Sequence, residues 1–338
     1  MLSGIPACTF GIVIFVAEGA VRNNIQQHPH SIETDMNKPF RALATASVFL
    51  ALAPCSLYAQ TPDTLAKVKA SGTVSMGVRE ASGVLSYHAG DGKYLGYHVE
   101  ICQHIIADMA KVVGRAVDVK YVPVSSQNRM SLVQNGTVDL ECGSTTNSAA
   151  RQQDVAFALT TYVEEVRLAV HANSAIGSVK NLGGKTVATT RGSTSVQTLR
   201  KQARANGVEF EEVFGNDHAD SFKLLESGRA DAFLMDGQIL ASSIANAKNP
   251  AEFRIVGEAL SVEPIAIMFR KNDAALKKLA DDTIRALQQS GELEKIYDKW
   301  FMHPVAPHNT RLGLPANEAT KAAWAHLNDK PMEDYTKK

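Results

Sequence analysis

Charge of one sign is missing from this chain, in which 35 lysines and arginines balance 35 aspartates and glutamates. Zero net charge excludes the broad field that draws proteins onto nucleic acid or anionic membranes, so any charged partner must be met by a few placed residues. Catalytic signatures are missing as well: there is no GxSxG elbow, HExxH helix, CxxC pair or phosphate loop. No short tandem repeat or low-complexity run occurs. Past residue 59 no apolar run is long enough to cross a bilayer. Cysteine is scarce, with four in 338 residues. What remains is an ordinary globular composition, 45% hydrophobic and 21% charged.

The first informative stretch is 36–59, MNKPFRALATASVFLALAPCSLYA. Lys38 and Arg41 make a basic start, Ala42 to Ala53 an apolar run, and Leu57-Tyr58-Ala59 a small-residue cleavage site. This is the pattern of a secretory signal peptide, and it predicts cleavage after Ala59 and a periplasmic location. Residues 1–35 then read as a mis-called extension upstream of a start at Met36; the competing reading makes Phe10–Ala20 part of a longer anchor. Leu52-Ala53-Pro54-Cys55 faintly resembles a lipoprotein box, but Pro54 stands where a small residue is expected. Cys8 and Cys55 leave with the signal. Cys102 and Cys142 remain, either as a disulfide in an oxidising compartment or as two small buried thiols.

The mature part alternates short apolar runs with helical patterns, which predicts α/β layering with largely parallel sheets. Strands are expected at Thr73–Val78, Val117–Val124 and Val138–Cys142. Between them, Val99, Cys102, Ile105, Ile106, Met109, Val112 and Val113 fall at helical spacing in Tyr97–Val113, ended by Gly114, and a short helix is expected over Arg129–Gln134. The pattern then restarts. Strands are expected at Val166–Val170, Lys185–Thr189, Glu209–Val213, Asp231–Met235 and Ile265–Phe269. Helices are expected at Ser195–Ala203 and Asp220–Ser227, and around Leu276, Leu279, Ile284 and Leu287. Two similar α/β halves are the simplest architecture.

Five segments are polar where strands should end, and ligands of open α/β sheets bind outside the carboxyl ends of strands. They are Val78-Arg79-Glu80, then Ser125 to Arg129, then Gly143 to Asn147 with Arg151 beyond, then Thr189 to Thr194, and finally Asp217-His218 with Met235-Asp236. Thr189 to Thr194 lies between a strand and a helix, where free N–H groups and the helix dipole favour an anion. Each has a plainer explanation, since Ser, Thr and Asn before a helix are usually N-caps. Recurrence of hydroxyls and arginines at successive strand ends points to a small anion.

Several of these stretches carry a resemblance: Ser126-Gln127-Asn128-Arg129, Gln134-Asn135-Gly136-Thr137, Glu141 to Asn147, Asp217-His218, Asp220-Ser221-Phe222, Leu225 to Ala230, and Asp298-Lys299-Trp300-Phe301. In order and over about 64–307, the chain closely resembles the periplasmic glutamate/aspartate-binding proteins of ABC transporters, solute-binding protein family 3. The resemblance implies a type II periplasmic binding fold, two α/β lobes joined by a two-crossing hinge. Lobe 1 would comprise 60–163 with a return and tail at 258–338, and lobe 2 would comprise 164–257; the crossings would lie near Tyr162–Val166 and Glu258–Pro264.

Position by position, it puts Arg79, Ser126, Arg129, Thr190 and His218 at the ligand's side-chain carboxylate. Thr146, Arg151 and Ser193 fall around the α-carboxylate, and Ser144 and Asp236 at the α-ammonium. Three departures bear on preference between the two acids: Ser193 replaces a threonine, Arg191 a small polar residue, and Val84-Leu85 a Pro-Phe pair.

The charge logic agrees, because each buried ligand charge needs a partner and a guanidinium forks onto a carboxylate. The implied protein is no enzyme and uses no cofactor, metal or nucleic acid. It is a monomer that carries L-glutamate or L-aspartate to an inner-membrane ABC permease. Rival expectations are a dehydratase related to cyclohexadienyl dehydratase, with His218 or Asp236 as acid or base, a receptor's sensor domain, and a binder of glutamine or basic amino acids.

Overall fold

The computed structural model describes residues 63–335. The expected extension 1–35 and signal 36–59, with Cys8 and Cys55, lie outside the described residues.

Helix α1 (Thr64–Ser71) leads into β1 (Thr73–Val78), then the short strands β2 (Ala81–Ser82), β3 (Ser86–His88) and β4 (Tyr94–Leu95). Next come α2 (Tyr97–Val113), β5 (Asp118–Pro123), α3 (Arg129–Gln134), β6 (Leu140–Glu141) and β7 (Val155–Phe157). The middle of the chain forms β8 (Tyr162–His171), β9 (Thr186–Thr190), α4 (Ser195–Ala205), β10 (Glu211–Gly215), α5 (His218–Glu226), β11 (Ala232–Asp236) and α6 (Gly237–Ala245). The return is β12 (Phe253–Ile265) and β13 (Met268–Arg270), followed by α7 (Ala274–Gln289), α8 (Glu292–Tyr297), α9 (Glu318–Ala325) and α10 (Met332–Tyr335).

Two five-stranded sheets result, ordered β5-β1-β6-β13-β7 and β10-β9-β11-β8-β12, with β2-β3-β4 as a small third sheet. Each is the centre of one α/β lobe. The inner pairs are parallel as expected: β1 with β5 and β6, and β9 with β10 and β11. Antiparallel pairing enters where the chain passes between lobes. β8 carries it out and β12 brings it back, side by side, with Val163 opposite Pro264 and Glu164 opposite Glu263. On return, β13 pairs antiparallel with β6 and β7. The strand expected at Ile265–Phe269 is therefore split, Ile265 ending β12 and Met268 opening β13.

Helix α2 shows why the first lobe holds together. Ile101, Cys102, Ile105 and Met109 are fully buried and pack with Val74 and Met76 of β1 and Ile284 of α7. Burial of one such aliphatic side chain contributes about 1.5–3 kcal/mol. Gly114 caps the helix at φ 72°, its N–H donating to Ala110 O, a conformation glycine adopts without steric cost. Val112, expected on the buried face, is 62% exposed, because helical spacing sets direction but not whether a neighbour reaches the last turn. In the second lobe, one face of the sheet packs around Leu168, Val187 and Leu199, the other around Phe222, Phe233 and Ile239. Cys102 and Cys142 are joined by a disulfide, which ties α2 to the loop after β6.

Candidate functional site

Strand ends from both sheets converge on the gap between the lobes. Arg79 follows β1, Ser126 and Arg129 follow β5, and Ser144 and Thr146 follow β6. From the second lobe, Thr190 ends β9, Ser193 precedes α4, His218 opens α5 and Asp236 ends β11. All of these except Ser193 are buried. Local turns place them: Asn128 Oδ1 accepts from the Ser125 N–H at 2.8 Å, and Asp217 caps α5 by accepting from the Ala219 N–H at 2.7 Å.

Arg79 is the hub. Its Nη2 donates to Ser126 Oγ at 2.9 Å and meets His218 Nε2 at 3.2 Å, while Nη1 lies 3.5 Å from Ser144 Oγ. A guanidinium only donates, so His218 Nε2 must accept and its proton must sit on Nδ1. Nδ1 then donates to Thr190 Oγ1 at 3.0 Å, and Thr190 donates onward to Ser221 Oγ at 2.8 Å. Burial, with the charges of Arg79 and Arg129, pushes the His218 pKa well below its usual value, which keeps the ring in this accepting form.

Arg129 is 2% exposed, and its Nε and Nη1 have no hydrogen-bond partner among the described residues. Burial, then the charges of Arg151 and Arg79, push its pKa well down. An unrelieved buried charge of this kind calls for an anion. Arg151 is partly exposed; it donates through Nη1 to Thr146 O at 2.8 Å and through Nη2 across the gap to Gly192 O at 3.3 Å. Burial lowers its pKa while Glu263 acts to raise it. Ser193 gives its proton to Thr190 O at 2.7 Å.

Opposite this positive cluster, Asp236 is 2% exposed with Oδ1 unpartnered among the described residues. Burial, then the Glu263 charge, push its pKa up to about 8 against the pull of the arginines. Two further acids that sequence reasoning assigned no role line the surroundings. Glu141 is fully buried and accepts from Thr145 Oγ1 at 2.6 Å, and a Cβ on Gly143 would strike its Oε1. Glu263 accepts from Thr146 Oγ1 at 2.6 Å. That commits the only Thr146 hydroxyl proton, so its oxygen faces the site as an acceptor. Gln238, also missed, bridges the lobes: its Oε1 accepts from the Val84 N–H at 3.2 Å and its Nε2 donates to Ser82 O at 3.4 Å. Arg191, noted above for departing from its relatives, is exposed and lies 4.8 Å over the Phe214 ring, outside the buried set.

The site thus offers cationic donors at one end, an unpartnered carboxylate at the other, and hydroxyls between. Among the described residues no cluster of His, Cys, Asp or Glu could hold a metal, and no helix is long and apolar enough to cross a membrane. Over residues 74–303 the chain matches the family model of bacterial extracellular solute-binding proteins, family 3. The chain belongs to that family.

Family 3 membership makes it a solute-binding protein rather than an enzyme. It is 40% identical to the glutamate/aspartate import solute-binding protein of Escherichia coli over 85% of this chain and 98% of that relative. To the L-glutamate/L-aspartate-binding protein of Pseudomonas aeruginosa it is 38% identical, over 86% and 97%. Among solved structures, an ancestral arginine-binding protein bound to arginine superposes with TM-score 0.60 at 29% identity, over 68% of this chain and 98% of that one. The shared architecture is the two-lobed periplasmic binding fold.

Proposed function

We propose that this protein captures L-glutamate or L-aspartate between its lobes, outside the cytoplasm, and delivers it as a monomer to an inner-membrane ABC permease. The observation that carries this reading is the pairing of a buried, unpartnered Arg129 edge with an unpartnered Asp236 oxygen in one cleft. An amino dicarboxylate is the complement of that pair. Similarity to the two acidic-amino-acid binders supports it.

In this reading Arg79, Ser126 and Arg129 take the side-chain carboxylate, with His218 and Thr190 serving it by fixing the Arg79 guanidinium. Arg151 takes the α-carboxylate, joined by Ser193 once its hydroxyl turns from Thr190 O to the ligand. Ser144 and Asp236 take the α-ammonium, and Thr146 stands where the two meet. Glutamine would leave part of the arginine cluster facing an amide, and unmatched buried polar groups discriminate strongly. Lobe 1 comprises 60–163 and the return from 258, lobe 2 comprises 164–257, and the 36–59 signal directs secretion and is cleaved after Ala59. Ligand bridging both lobes favours the closed form that a permease would recognise.

Thermal unfolding of the 60–338 protein, refolded to strip ligand, tests this against a panel of amino acids. A ligand at 100 times its dissociation constant stabilises by about 2.7 kcal/mol, and about 2–4 °C per kcal/mol is expected at this size. A rise of several degrees with glutamate or aspartate, absent with glutamine, lysine and leucine, is the expected result. No rise with either acid would overturn the reading.

A further inference from the structure

Glu263 lies on the returning hinge strand β12, directly opposite Glu164 of β8, and is fully buried. Its Oε1 accepts from Ser261 Oγ at 2.7 Å. Its Oε2 accepts twice, from Thr146 Oγ1 at 2.6 Å and from Thr194 Oγ1 at 2.7 Å. The two threonines belong to different lobes: Thr146 follows β6 of the first sheet, and Thr194 precedes α4 of the second. Thr194 occupies the N-cap of α4, where a threonine oxygen ordinarily accepts from a first-turn N–H, yet it makes no capping bond. Its hydroxyl is turned to Glu263 instead. With both protons given to the carboxylate, the 3.4 Å separation of the two hydroxyl oxygens is an approach of two acceptors, held together by the shared anion.

We propose that Glu263 is a positioning residue that latches the closed clamp by holding one threonine from each lobe on a single carboxylate oxygen. The proposal rests on the reading that the lobes close around a ligand. A swing of the lobes about β8 and β12 carries Thr194 away from Thr146, and one oxygen cannot follow both. The Thr194 bond therefore exists only in the closed form, whereas the Thr146 and Ser261 bonds persist within the first lobe and the hinge. In the open form water replaces Thr194, so the latch slows opening and leaves ligand entry alone. It also fixes the orientation of Thr146, one of the residues placed at the ligand.

The test compares Thr194→Val, Glu263→Ala and Glu263→Gln with wild type by stopped-flow kinetics of L-glutamate binding, alongside melting of each ligand-free protein. Thr194→Val should raise the dissociation rate about tenfold, the scale of one hydrogen bond to a charged group. Its association rate and ligand-free melting temperature should stay at wild-type values. Glu263→Ala should match or exceed that loss, and Glu263→Gln, which keeps an acceptor oxygen, should recover most of it. An unchanged dissociation rate in Thr194→Val would overturn the latch. So would a ligand-free melting loss that accounts for the whole effect. If wild type binds neither acid, the acidic-amino-acid reading fails on its own, and the same rates are compared with whichever amino acid of the panel binds.

Discussion

Arg129 is 2% exposed, flanked by the charges of Arg79 and Arg151, and has two nitrogens without partners among the described residues. Truncating one member of a buried, hydrogen-bonded charge pair costs about 2–5 kcal/mol. Arg129→Ala should thus weaken glutamate by at least about thirtyfold, and an amino acid lacking the second carboxylate far less. Calorimetric titration of both ligands checks this; equal losses would reject the side-chain role. Asp236 predicts a pH dependence. Its pKa, ordinarily 3.8, is raised to about 8 in the fold. The unfolded chain releases this proton first, so Asp236 favours the ligand-free fold most at low pH, and that contribution fades as pH rises from about 4 to about 8. Glu164, also pushed well up by burial, acts in the same direction. Asp236→Asn should flatten part of this slope in melting temperatures taken at pH 5 and pH 8. Binding an ammonium requires the ionised carboxylate, so uptake of ligand at pH 7 should release a proton, detectable by calorimetry in two buffers of different ionisation enthalpy. Arg79, Thr190 and Asp236 stood out in the sequence because each directly follows or ends a strand, and Ser126 because it lies in the polar stretch just beyond one. Glu263 did not: it falls in the expected crossing Glu258–Pro264, but which hydroxyls its carboxylate meets depends on segments distant in sequence.

The turn between β9 and α4 carries a constraint of its own. Gly192 adopts φ +76°, and a Cβ there would sit 2.6 Å from Ser126 O and 2.8 Å from Gln127 Cα on the opposite lobe. Gly192→Ala should cost about 1–2 kcal/mol of backbone strain and, beyond that, should oppose closure. Affinity should fall about tenfold or more while the ligand-free protein still folds, the two separated by titration and melting. An unchanged affinity would mean that the lobes do not approach here when ligand is bound. Elements with strong local periodicity were legible, β1 and α2 at their observed bounds and α7 as a helix through Leu276, Leu279, Ile284 and Leu287. β12 was not. Its 13 residues include Gly257, Glu258 and Glu263, and its register against β8 shifts between Val256 and Ser261, so neither an alternating nor a continuous apolar pattern survives. Helix α6 begins at Gly237, directly after Asp236 of the site, and it was likewise unmarked by any preceding turn signal.

For the whole molecule, direct contacts across the cleft, Arg79 with His218 and Arg151 with Gly192, describe a closed clamp. Small-angle scattering should show a smaller radius of gyration on addition of glutamate, and an identical radius would argue for a rigid site. Two α/β halves were legible from the restart of the strand–helix pattern after residue 160. The antiparallel traffic between them was not, because pairing of distant segments leaves no local trace. The tail was not either: Thr320 of α9 accepts from the Val163 N–H at 3.1 Å and Trp324 donates to Thr161 O at 2.7 Å, bracing β8 where it leaves the first lobe. The side-by-side course of β8 and β12 has one more consequence. Tyr162 and Ile265 are strand partners, so the whole middle segment enters and leaves through a gate about 5 Å wide. Topologically it is an insert, one continuous stretch that carries Thr190, Ser193, His218 and Asp236, while Arg79, Ser126, Arg129, Ser144, Thr146 and Arg151 all lie in the chain before it.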